Sequence, residues 1–172
     1  MLRDTLLAVS GSQSNRKGGP GVRPPLPEEI TSTLLKNQWP VSKDEADHRR
    51  RSIYLFARRN LRYPIFELFD RPALAESCIA RKISTTAPQS LGLLNSEFIR
   101  STAERLARYV ASKGETPRKQ LTLCYQLLLG RAPEENELAA ANELISGHPD
   151  PLKGLSDLCL ALANLNEFLY VD

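Results

Sequence analysis

Thr116-Pro-Arg-Lys-Gln-Leu-Thr-Leu-Cys-Tyr-Gln-Leu-Leu-Leu-Gly130 contains a whole helix together with its start and stop signals. Thr116 is a helix N-cap residue, and Pro117 suits the first turn, where its missing N–H would have no helical partner. Leu121, Cys124 and Leu128 recur at three- and four-residue steps and so share one face. Gly130 supplies the stop. The same grammar repeats downstream. Pro133-Glu134-Glu135 opens a helix carrying Leu138, Ala141 and Ile145, which Gly147 closes. Asp150-Pro151 opens the last, with Leu155, Leu158, Cys159, Leu162 and Leu165. Upstream, Thr86 and Gln89 form a capping box with Pro88 in the first turn. Leu91, Leu94, Phe98, Ile99, Ala103, Leu106 and Val110 then run to Gly114. Connections this short bring neighbouring helices close to antiparallel. The expected fold class is mainly α: a helical bundle packed on an aromatic-rich block, with one short two-stranded β-ribbon.

The aromatic block precedes the bundle. Five of the 11 aromatic residues lie between Tyr54 and Phe69. Ser52-Ile-Tyr-Leu-Phe-Ala57 is rich in strand formers and apolar on both faces, which predicts a buried strand. Its partner in the ribbon would be Phe168-Leu-Tyr-Val171. At the N-terminus, residues 1 to about 9 read as an amphipathic helix. Gly11 to Pro27 holds four glycines and four prolines, which excludes regular structure. That segment is either a flexible linker or an ordered loop pinned against a missing partner segment. Pro27-Glu28-Glu29 opens a short helix running to about Lys36, and Trp39 anchors the following turn. The expected organisation is residues 1–48 as a partial N-terminal helix, loop and short helix, and residues 49–172 as one mainly helical domain.

Composition removes several functional classes. The 172 residues are 41% hydrophobic and 25% charged, which fits a packed domain rather than a disordered polyelectrolyte. No apolar run approaches the ~18 residues of a spanning helix, and the N-terminus is too weak for a secretory signal. The net charge of +3 is below that expected of a dedicated nucleic-acid binder. The three cysteines, Cys78, Cys124 and Cys159, form no Cys-x-x-Cys, so neither c-type haem nor a common structural zinc pattern is supported. Cys124 and Cys159 read as small buried hydrophobes on apolar helix faces. No cofactor and no metal is expected.

The candidate site residues fall in three groups. Six of the 16 arginines lie between Arg49 and Arg62, including Arg50, Arg51, Arg58 and Arg59, with Tyr54, Phe56 and Tyr63 interleaved. Such a block would suit phosphates or an acidic polymer, with the aromatics for stacking. The structural reading pairs these arginines with Glu67, Asp70 and other acids around a buried strand, and it is the favoured one. Asn95, Ser96 and Glu97 form a second polar cluster beside core positions, and Asn164, Asn166 and Glu167 a third. Glu97 or Glu167 would serve an enzyme as general acid or base. Asn and Glu in such places more often cap helices and bind loop backbone. The turn Gly130-Arg131-Ala132-Pro133 invites a helix-turn-helix reading. The helix after it begins Glu134-Glu135 and carries Glu137, so its acidic end would repel a phosphate backbone. The two histidines, His48 and His148, sit in no nucleophile motif. His48 beside Asp47 is expected in solvent, and His148 at a helix end.

Several blocks, taken in order, resemble the C-terminal portion of the planctomycete family called domain of unknown function 1553. They are Arg50-Arg51-Ser52-Ile53-Tyr54-Leu55-Phe56 with Arg58-Arg59-Asn60; Phe66-Glu67-Leu68-Phe69-Asp70; Ser77-Cys78 with Arg81; Ser84 to Gln89 with Leu93 to Phe98; Leu129-Gly130-Arg131 with Pro133; and Asn164 with Asn166 to Val171. Arg3-Asp4 and Gly18-Gly19-Pro20-Gly21 also fit. The resemblance implies a domain that ends large exported proteins, behind a companion domain of unknown function and often a c-type cytochrome domain. This chain shows no haem motif, export signal or companion domain, so the expectation is a truncated member of a cytochrome-associated family.

The reading that follows is a non-catalytic structural or interaction module. Its expected partners are the companion domains the resemblance implies, or a second copy met through exposed helix faces. The alternatives are an enzyme domain acting on an extracellular polymer, and an anionic-polymer binding module using the Arg49–Arg62 block. The implied location is exported, periplasmic or cell envelope.

Overall fold

The computed structural model describes residues 2–58, 61, 63–69 and 87–170. In chain order the helices are α1 (Leu2–Val9), α2 (Glu28–Thr31), α3 (Glu45–His48), a 3₁₀ turn at Ser52–Tyr54, α4 (Pro64–Leu68), α5 (Ala87–Asn95), α6 (Glu97–Lys113), α7 (Pro117–Leu129), α8 (Glu135–Ser146), α9 (Pro151–Leu162) and α10 (Asn166–Leu169). The protein is therefore mainly α, as its periodicity predicts. The chain forms two compact units: Arg3 with Gln13–Gln89, and Ser90–Asp172 with Leu2 and Asp4–Ser12.

In the first unit, the Gly/Pro-rich arm is an ordered loop. Val22 N–H donates to the Tyr54 carbonyl, and the Val22 carbonyl accepts from Phe56 N–H, both at 2.8 Å. Ser14 N–H donates to the Arg49 carbonyl at 3.0 Å. These contacts are single parallel bridges, Ser14 with Arg50 and Val22 with Leu55. Val22, Leu26, Trp39 and Leu55 are buried. Trp39 Nε1–H reaches the Pro24 carbonyl at 2.7 Å, and its ring meets Phe56 edge-on at 6.2 Å between centroids. The predicted anchoring by Trp39 thus has a specific form: the indole both packs and satisfies a loop carbonyl.

Among the described residues the expected β-ribbon is not formed; Val171 of its second strand lies outside them. Ser52–Tyr54 is a 3₁₀ turn, Leu55 alone of that stretch is buried, and Ile53 is 79% exposed. The supposed partner Phe168-Leu169 lies in α10. The physical reason is that strand formers need a backbone partner, and the loop around Val22 supplies it. Pairing at one residue satisfies the Tyr54 carbonyl and Phe56 N–H without a strand ladder.

The second unit is built on α6 to α9. Helix α6 buries Ile99, Thr102, Ala103, Leu106, Ala107 and Val110, a stripe at three- and four-residue steps. It packs most extensively on α9, which buries Leu155, Leu158, Cys159 and Leu162. Helix α7 adds Leu121, Cys124, Tyr125 and Leu128, and α8 adds Leu138 and Ala141. Three of the predicted helix signals are seen directly. Thr116 Oγ1 accepts from Lys119 N–H, Asp150 Oδ1 accepts from Leu152 N–H at 2.9 Å, and Gly130 closes α7 at φ 72°, a left-handed conformation that suits glycine.

Further expectations need correction. Helix α2 ends at Thr31 rather than near Lys36. The run from Leu91 to Val110 is two helices, broken at Ser96, whose φ −70° and ψ 120° are extended. Leu91 and Leu94 are 61% and 42% exposed, while Leu93 is buried in their place. Leu165 lies beyond α9 and is exposed as well. The proposed capping residue Thr86 lies outside the described residues, as does Cys78.

Candidate functional site

The densest polar constellation in the second unit is centred on Arg131. Gly130 turns the chain out of α7, so the next residue leaves the helix axis. The Arg131 guanidinium then meets two carboxylates. Its Nη1 and Nη2 donate to Glu137 at 2.8 and 2.7 Å, and its Nε and Nη2 donate to Glu167 at 2.6 and 3.0 Å. Nη1 also donates to the Ala132 carbonyl at 3.2 Å. These five bonds match the five N–H donors that a guanidinium possesses. The Arg131 Cζ lies 5.9 Å from the Tyr125 ring centroid.

Each member is placed by its own element. Glu137 is the third residue of α8, and its carboxylate also accepts the Glu134 N–H at 2.7 Å, closing the N-terminus of that helix. Glu167 stands in the first turn of α10. The clamp therefore ties the α7–α8 turn to α10. Its electrostatics follow. The Arg131 hydrogen bonds, aided by the Glu134 N–H, pull the Glu137 carboxyl down to about 2. The same guanidinium lowers Glu167, and the two carboxylates raise Arg131 above its ordinary value. Burial, with Glu137 adding to it, pushes the Tyr125 phenol up. Carboxyls held ionised in this way are poor proton donors near neutrality.

In the first unit, the corresponding centre is a pair of buried arginines. Arg50 Nε donates to the Arg16 carbonyl at 3.2 Å and Nη2 donates to the Gly18 carbonyl. Its guanidinium lies over the Tyr54 ring at 4.1 Å and 3.7 Å from Asp47. Arg3 Nη1 donates to the Arg50 carbonyl at 2.8 Å, and Nη2 to the His48 carbonyl at 2.6 Å. Arg50 thus combines main-chain carbonyls with an acid, Asp47, while Glu67 is exposed on α4 and the other expected acid, Asp70, lies outside the described residues. Arg58 donates to the Gln38 carbonyl at 2.6 Å. His48 also departs from expectation: its Nε2 is 2.7 Å from the Ser42 carbonyl rather than in open solvent.

The nine sequence candidates are thus placed as follows. Arg50 is buried and Arg58 half-buried, each on loop carbonyls, while Arg51 is exposed. Arg59 lies outside the described residues. Glu67 is exposed on α4. Asn95 and Glu97 are exposed on either side of the α5–α6 break. Asn166 and Glu167 open α10, and only Glu167 joins the clamp. Among the described residues, the surface grooves of the second unit include the following two. One, of about 560 Å³, is lined by Lys113, Thr116, Arg118 and Lys119 among others. The other, of about 390 Å³, is lined by Arg100, Glu104, Arg108, Asp150, Lys153 and Asp157 among others. Neither is lined by any of the nine candidates. Arg131 and Glu137, the centre of the clamp, are not among these nine residues. The available signal was an arginine just after a helix-ending glycine with a glutamate at N3 of the next helix.

Among the described residues, no helix is long and apolar enough to cross a membrane, and no three His, Cys, Asp or Glu side chains are grouped to hold a metal ion. No curated protein and no solved structure matches the chain. A family model described as "Protein of unknown function (DUF1553)" matches residues 1–145, a span that takes in α1 to most of α8. The chain belongs to the DUF1553 family.

Proposed function

We propose that this chain is a non-catalytic structural and interaction module, one that packs against other domains in larger exported, cytochrome-associated proteins of its family. The observation that carries the reading is where the charged side chains go. Arg3, Arg50 and Arg58 are spent on main-chain carbonyls, and Arg131 satisfies Glu137 and Glu167. Groups that hold loops and helix ends in this way are not free to bind an anionic polymer or to move protons. For Arg50 and Arg58 this favours the structural reading over the polymer-binding one.

The interaction half rests on exposed apolar side chains. Leu91 and Leu94 on α5, with Leu144 and Leu152 on α8 and α9, are each more than a third exposed. Such leucines suit a surface that another domain, or a second copy, covers. Size-exclusion chromatography with light scattering tests this on the 172-residue chain. The reading expects concentration-dependent self-association that Leu91→Ser with Leu94→Ser reduces. A monomer that stays monodisperse at high concentration would overturn it.

A further inference from the structure

Cys124 on α7 and Cys159 on α9 are 35 positions apart in the chain, yet their sulfurs lie 3.6 Å apart. Both side chains are buried, at 0% and 1% exposure. We propose that Cys124 and Cys159 are joined by a disulfide when the chain folds in an oxidising environment, covalently tying α7 to α9.

The geometry needs little adjustment. A disulfide bond is about 2.05 Å long, so the sulfurs must approach by roughly 1.5 Å. The two helices already pack on each other, and rotation about both Cα–Cβ bonds is the motion that brings the sulfurs together. The third cysteine, Cys78, lies outside the described residues and is 46 positions from Cys124. The hydrogen bond with Cys124, together with burial, pushes the Cys159 thiol well above its ordinary value, which keeps that thiol protonated and unreactive once packed. Bond formation therefore belongs to the folding chain, before α9 closes over α7.

With glutathione disulfide as oxidant, the exchange balances in two steps. One cysteine thiolate attacks a glutathione sulfur, forming a mixed disulfide and releasing a glutathione thiolate. The second cysteine thiolate attacks the protein sulfur of that mixed disulfide, forming the Cys124–Cys159 bond and releasing the second glutathione. The two protons lost by the cysteines end on the two released thiolates.

The test refolds the full chain from denaturant in a glutathione redox buffer, blocks remaining thiols, and digests it with trypsin without reduction. The expected product is Gln120–Arg131 linked to Gly154–Asp172, about 2 Da lighter than the sum of the two thiol peptides. The oxidised protein should melt about 5 °C or more above the reduced one, since a crosslink over a loop of this length restricts the unfolded chain. That gain should vanish with dithiothreitol and be absent from a Cys124→Ala, Cys159→Ala protein. A Cys78→Ser protein should keep it. Two alkylatable thiols at 124 and 159 after refolding in oxidised buffer would overturn the proposal. So would a crosslink that runs to Cys78 instead, or stable glutathione adducts in place of the bond.

Discussion

Gly114→Ala should destabilise the second unit, and the structure gives the size of the effect. Gly114 ends α6 at φ −85° and ψ 110°, a conformation open to any residue, so backbone strain plays no part. What a methyl group meets is the chain across the turn. An added Cβ would stand 2.4 Å from Gln120 Cγ and 2.9 Å from both Gln120 Cα and N. Carbon atoms in favourable contact are about 3.5–4.0 Å apart. The Cγ can rotate away, but the Cα and N belong to α7 and cannot. Overpacking of this kind costs about 1–3 kcal/mol. Moving α7 aside also strains the Gln120 Nε2–H bond to the Gly114 carbonyl, now 2.9 Å, whose net worth is about 1 kcal/mol. The sum is roughly 2–4 kcal/mol, or on the order of 10 °C in Tm. Thermal denaturation followed by far-ultraviolet circular dichroism reads it. Gly147→Ala is the control, because its added Cβ meets nothing closer than the Glu143 carbonyl at 3.4 Å and φ is −72°. Adding Gln120→Ala to Gly114→Ala should recover only part of the loss, since the Cα and N contacts remain. A Gly114→Ala protein that melts with the wild type would refute the packing described for the α6–α7 turn.

Three other outcomes are expected. The clamp should make stability depend on acid: Glu137 and Glu167 have folded values below the ordinary carboxylate value of 4.5, so their contribution is full above that value and is lost as pH falls toward about 2. Melting temperatures of Glu137→Gln and wild type should therefore differ at neutral pH and converge near pH ~2, and parallel curves would count against the clamp. Thr116→Ala should cost about 1 kcal/mol by removing the α7 cap, measured by urea denaturation. Trp39→Phe should leave the Pro24 carbonyl without its 2.7 Å donor and lower first-unit stability by about 1–3 kcal/mol, seen in hydrogen exchange of the Val22 and Phe56 amides.

The helices of the second unit were legible because their signals are local. Thr116-Pro117, Asp150-Pro151 and Gly130 fix starts and a stop within a few residues, and the buried stripes follow the helical period. The first unit was less legible because its bonds are not periodic. Nothing in Ser52–Ala57 reveals that Val22 takes both the Tyr54 carbonyl and the Phe56 N–H, so strand-forming residues suggested a strand. The break at Ser96 was hidden for a related reason. Leu91 and Leu94 continue the spacing of the α6 stripe across the break, although Leu93 is the residue actually buried. At the candidate sites, sequence identified Glu167 but not its guanidinium, 36 positions away. The Cys124–Cys159 proximity was equally invisible. Burial of each could be read from its helix face, whereas their meeting depends on how α7 lies on α9.

The central claim is that the conspicuous arginines hold the chain together rather than offer a binding surface. Arg50→Ala compared with Arg51→Ala tests it most directly, because both remove one positive charge from adjacent positions. Arg50 is buried on the Arg16 and Gly18 carbonyls, whereas Arg51 is exposed. Thermal denaturation of the two variants should show a loss of about 3 kcal/mol or more for Arg50→Ala, which removes a buried side chain together with its carbonyl bonds and its contact with Asp47, and no loss for Arg51→Ala. Equal melting temperatures for the two, both matching wild type, would contradict the account.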